Sequence, residues 1–135
     1  MLRLLIGVFV VLHGLVHLWY VVLSQRLIEF QPEMGWTGRS WIFSPLLGDA
    51  AARLVASVLY VLATIGFVAG GLGLLIRQEW WRSVVVGSAA LSTAIVILFW
   101  DGSVNLVVQK GLIGLLINVA ILVVVLVLKW PPSTF

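Results

Sequence analysis

The two histidines of the chain, His13 and His17, lie four residues apart in the stretch LHGLVHLWY, from Leu12 to Tyr20. That spacing puts both imidazoles on one face of a helix. Such a pair can hold a zinc or iron ion, give a haem one axial contact, pass protons, or hydrogen-bond a polar group on a ligand. A metal wants a third ligand, and Asp101 is the one carboxylate near that depth, a turn or more away. Imidazoles at i and i+4 project the same way, so they cannot straddle one haem within a single chain. There is no G-x-S-x-G motif and no Ser-His-Asp set at one depth, so serine hydrolysis lacks its parts. The chain has no cysteine, which excludes disulfides, thiolate metal sites and dithiol redox chemistry.

The elements around the pair are built for hydrocarbon. Of 135 residues, 62% are hydrophobic and 10% charged, with a mean hydropathy of +1.19. A soluble domain is about 45–50% apolar and about 25% charged. The composition predicts an integral membrane protein in one domain, residues 1–135, in a bacterial or archaeal plasma membrane. The net charge of +3 is scattered, so no nucleic-acid patch forms. Crossing a hydrocarbon core takes about 20 apolar helical residues. Four stretches qualify, at about 4–23, 54–76, 83–100 and 106–128. The first is too long for the apolar region of a signal peptide and is not followed by an A-x-A site, so it reads as a retained span.

Aromatic residues mark the ends: Trp19 and Tyr20, Trp80 and Trp81, Trp100, and Trp130. Indoles favour the interface, where one side meets lipid and the N–H meets water. The turns at Arg77-Gln78-Glu79 and Asp101-Gly102-Ser103 are short, which predicts antiparallel neighbours. The fold class expected is therefore all-α, a four-transmembrane-helix up-down bundle. The first connection, 24–53, is long for such a bundle. It holds MGWTGRSWIFSPLLGD, too apolar for a free linker, and is expected at the interface or as a cap. With the N-terminus inside, four cations fall on each side; the arginines flanking the compact second turn favour that orientation.

Polar residues form stripes. His13, His17, Tyr20 and Ser24 share a face of the first span, and Arg53, Ser57, Tyr60 and Thr64 a face of the second. At about 1.5 Å per residue, His13, Thr64, Ser92 and Asn118 fall within about 5 Å of one level. His17 and Tyr60 lie nearer the surface holding the long connection. Arg53, Asp101 and Asn105 are expected at the mouth, with Asp101 paired to Arg53. The halves Leu4–Val11, Ile65–Ile76 and Val119–Leu128 carry no polar side chain. A pocket open at one face follows, and polar groups inside spans are functional candidates. A conducting path would need polar groups in the other half as well.

The motif His13-Gly14-Leu15-Val16-His17, with Trp100-Asp101 and Gly114-Leu115-Leu116-Ile117-Asn118, resembles small four-span bacterial membrane proteins of unknown function. The opening LRLLIGVFVVLHGLVHL is similar to that of DoxX-like proteins. The resemblance implies an accessory role in respiratory or oxidative-stress chemistry and carries over no catalytic residue.

The residues thus suggest a binding protein rather than an enzyme. A small amphipathic ligand, quinone or lipid, would contact His13, His17, Tyr20, Tyr60, Thr64 and Asn118, with Arg53, Asp101 and Asn105 at the mouth. The bilayer is the one partner the sequence requires; no cofactor is firmly implied. The alternatives are a structural or accessory subunit, in a homo-oligomer or a larger membrane complex, and a metal- or haem-dependent enzyme using His13 and His17.

Overall fold

The computed structural model describes residues 1–132 and 135. Four helices are long and apolar enough to cross a membrane: α1 (Leu2–Ser24), α3 (Asp49–Leu75), α4 (Trp81–Leu98) and α5 (Val108–Val127). A five-residue helix, α2 (Phe43–Leu47), lies within the first connection. These features mark an integral membrane protein, since a helix satisfies its own backbone in lipid. The second long helix starts earlier than its apolar run suggests. Gly48, at φ +84°, ends α2 and precedes it, and Asp49 in its first turn suits the positive end of the helix dipole.

Small residues set the packing. A Cβ at Gly7 would meet the Leu75 side chain and the Gly71 carbonyl, and one at Gly14 would lie 2.6 Å from the Phe67 Cβ. Gly70 and Gly73 press in the same way on Val85 and on Trp80. Where no water drives association, such close backbone approach supplies the contact area. As numbers rise along α1 they fall along the facing part of α3, and the same holds between α3 and α4.

The first connection is folded onto the end of α4. The last carbonyls of a helix lack internal partners. Here the Trp41 indole donates to Ile97 O (2.8 Å), Ser40 Oγ to Leu98 O (2.7 Å), the Trp36 indole to Phe99 O (2.6 Å) and the Trp41 amide to Trp100 O (2.8 Å). Four successive carbonyls are thus answered by residues 36–41. Trp36 is 2% exposed and packs with Tyr60, Ile95 and Phe99. Residues 36–41 thus cap this end of α4.

The fourth span is interrupted. Gly111 has φ +113° within it, and Leu106 has φ +53° just before it. Broken backbone at membrane depth persists where protein or a cavity covers it. At Gly111 a Cβ would lie 3.1 Å from the Tyr20 hydroxyl and 3.4 Å from Val96.

Candidate functional site

The histidine face of α1 meets α4 and α5 in a closed polar network. His13 Nε2 and Asn118 Oδ1 are 2.7 Å apart, Asn118 Nδ2 and Ser92 Oγ 2.7 Å, and Ser92 Oγ and His17 Nε2 2.6 Å. His17 Nδ1 faces two backbone carbonyls, His13 O at 3.0 Å and Gly14 O at 3.2 Å. Ser92 and Asn118 are fully buried.

Those two carbonyls fix every proton in the chain of bonds. A carbonyl can only accept, so His17 Nδ1 carries hydrogen, and in a neutral ring Nε2 then accepts. Ser92 must donate its hydroxyl proton to His17 Nε2, so its oxygen accepts from the Asn118 amide. That turns Asn118 Oδ1 toward His13, whose Nε2–H donates to it. His13 Nδ1 is left as the nitrogen with a free lone pair. Among the described residues the fully buried, unpartnered side-chain N and O atoms are Nε and Nη2 of Arg82, so His13 Nδ1 retains open surface.

Aromatic residues brace the imidazoles. The Phe67 ring meets His13 edge-on with centroids 4.9 Å apart, and His17 lies 5.4 Å from the same ring. Gly14, between the histidines, lets α3 come close enough for Phe67 to sit there. Tyr20 stacks on Tyr60 at 5.0 Å, and Tyr60 neighbours His17 and Trp36.

Beside the network lies a cavity of about 300 Å³ between α1, α4 and α5. His13, His17, Tyr20 and Ser92 form its polar lining, and Val96 and Ile117 belong to the apolar remainder. The backbone break at Gly111 borders it. The Tyr20 hydroxyl reaches Gln109 O only at 3.5 Å, a long contact.

The sequence-selected residues divide. His13, His17 and Asn118 come together as their depths suggested, and Tyr20 and Tyr60 sit against them. Thr64 does not join, because its hydroxyl donates to Tyr60 O of its own helix at 2.9 Å. Asn105 is exposed, its amide bonded to Ser103 Oγ. Ser92, the residue linking both histidine arms, shares their depth in the sequence but is not among the residues expected to contact a ligand.

The expected Asp101–Arg53 pair is corrected. Asp101 instead pairs with Lys110, whose ammonium lies 2.8 Å from Oδ2 and 3.1 Å from Oδ1, both side chains more than nine-tenths covered. Thr37 Oγ1 and the Ser103 amide add bonds to the carboxylate. The turn after α4 brings Lys110 back over Asp101, whereas the Arg53 stem lies against Gly38 of the connection. Burial pushes the Asp101 carboxyl up, but Lys110, Ser103 and Thr37 outweigh it and hold it below its ordinary value.

Among the described residues no group of three His, Cys, Asp or Glu could hold a metal ion. Both nitrogens of His17 are engaged by protein atoms, so the pair is not presented as a two-imidazole claw. No family model, curated protein or solved structure matches the chain.

Proposed function

We propose that the four helices form an up-down bundle in the membrane and that the cavity beside His13 and His17 binds a small amphipathic molecule, a quinone-type ring or a lipid. The observation that carries this reading is a cavity of about 300 Å³ with one polar wall in an otherwise apolar lining. Ligand sites commonly combine apolar walls with a few convergent polar groups. The order of protons in the network sharpens the chemistry. His13 Nδ1 offers an acceptor and the Tyr20 hydroxyl a weakly engaged donor. A ring bearing hydroxyl groups, such as a quinol, suits that pair better than a molecule with acceptors only. The resemblance to DoxX-like proteins agrees with an accessory part in respiratory or oxidative-stress chemistry.

Lipid extraction of the purified protein followed by mass spectrometry tests this. A bound amphiphile should appear with wild type and be lost with His13→Leu, while the helical spectrum persists. Retention of the same molecule by His13→Leu overturns the reading. Cysteines at Gln31 and Ser103 should label from one side of the membrane and one at Gln78 from the other.

A second reading is a structural subunit of a homo-oligomer or larger membrane complex. It is favoured by the network itself, in which His17, Ser92 and Asn118 answer one another. In that case both histidine variants lose some stability and no bound molecule changes.

A further inference from the structure

At the end of the molecule opposite the connection, we infer a second site, for the phosphate of an anionic glycerophospholipid. It stands independently of the histidine cavity. A cavity of about 440 Å³ lies at the turn between α3 and α4, with Arg77, Gln78 and Arg82 as its hydrogen-bond donors and Leu74, Trp81 and Phe135 as its apolar walls. Glu79 is on its rim. Among the described residues neither arginine forms an ion pair with it.

Arg82 is the telling residue. Its guanidinium lies over the Trp81 ring, 5.2 Å from the centroid, and its Nε and Nη2 are covered with no hydrogen-bond partner. That edge is the two-pronged face with which arginine grips phosphate. Covered donors without an acceptor are unfavourable, and more so near hydrocarbon. A small turn of the guanidinium toward the cavity, keeping its stacking on Trp81, would offer the edge to a phosphate and remove that penalty.

Two further observations select a lipid as the source of the phosphate. First, the net charge resides at this end. Arg3, Arg77, Arg82 and Lys129 face one acidic side chain here, Glu79. At the other end Arg26, Arg39, Arg53 and Lys110 are matched by Glu29, Glu33, Asp49 and Asp101. The full formal charge of +3 therefore lies where an anionic headgroup would be drawn. Second, Trp81 also lines a groove of about 290 Å³ that runs between α1, α4 and α5 past Ile6, Phe9, Val85, Ile117 and Val124. The groove is wholly apolar in its lining side chains apart from the indoles Trp81 and Trp130. A phosphate at Arg82 would place an acyl chain at its entrance.

The test uses the full-length protein in a neutral detergent, with phosphatidylglycerol, phosphatidylcholine or inorganic phosphate added, and counts bound molecules by native mass spectrometry. Phosphatidylglycerol should bind several-fold more tightly than phosphatidylcholine. Arg82→Gln and Arg77→Gln should each weaken it about fivefold, the effect of removing one cation near a lipid phosphate. Lys129→Gln, at the same end but outside the cavity, should change binding less than twofold. Should Arg82→Gln fail to fold, Arg77→Gln and Arg82→Lys decide, the latter keeping charge but losing the two-pronged edge. Equal binding of the two lipids, or equal losses with Lys129→Gln and the arginine variants, overturns the site. Inorganic phosphate that displaces phosphatidylglycerol at equal concentration would overturn the lipid and leave a free-anion site.

Discussion

The two ends of the molecule treat their polar groups in opposite ways. At the connection end, four carbonyls at and just past the end of α4 are answered by residues 36–41, and Asp101 and Lys110 are paired under cover. At the other end a compact turn leaves two covered nitrogens of Arg82 unanswered and the charge uncompensated. The difference shows where the chain finishes itself and where it is left to be finished by something else. The 24 residues of connection, 25–48, provide enough donors to close one end; the five residues of turn, 76–80, do not do so at the other.

Breaking the closed end should have the largest consequence. Trp36→Ala removes a buried indole and its bond to Phe99 O, and should cost about 3–5 kcal/mol. Reversible unfolding in mixed micelles would measure it. A loss under about 1 kcal/mol would mean that the connection rests on α4 without holding it.

Asp101→Asn is next, at about 2 kcal/mol, the scale of a hydrogen bond to a charged partner. The sign of its pH dependence is fixed. A carboxyl held below its ordinary value stabilises the fold above about pH 4 and loses that contribution as pH falls through the folded value. Wild type and Asp101→Asn should therefore differ at neutral pH and converge in acid. Arg53→Gln should add to Asp101→Asn without coupling, whereas Lys110→Gln should couple to it.

Asn118→Leu lies between the two ends. It leaves His13 Nε2–H without its acceptor and should cost about 1 kcal/mol, in line with side-chain bonds inside membrane bundles. The smallest effect is expected at the open end. Arg82→Gln should change stability by less than about 0.5 kcal/mol in neutral detergent. A clear destabilisation there, with no lipid present, would show the guanidinium already satisfied and would erase the contrast.

Much of this layout was legible in the sequence, and for a definite reason. Four helices follow from apolar length, and the meeting of His13 with Asn118 follows from counting rise along straight helices. The same count failed for Asp101 because the chain after α4 is not straight. Positive φ at Leu106 and Gly111 turns Lys110 back over the end of α4, a backbone event that residue types alone do not announce. Trp36 and Trp41 could be read as too apolar for a linker. Which carbonyls they would reach depended on tertiary packing. Thr64 was misplaced because periodicity gives the face of a helix and not whether a hydroxyl bonds its own backbone.

The cap has a consequence for how the protein is made. Residues 36–41 leave the ribosome about sixty residues before the carbonyls they bind at the end of α4, Ile97 to Trp100. Until that second segment has been threaded across the bilayer, the Trp36 indole has no seat at the end of α4. A nascent chain halted after Ile76 therefore exposes an aromatic, donor-rich loop at the membrane surface, open to proteolysis. Completion of α4 withdraws it, so protease resistance of the 25–48 segment should arrive late in synthesis, in step with the third crossing and not with the second.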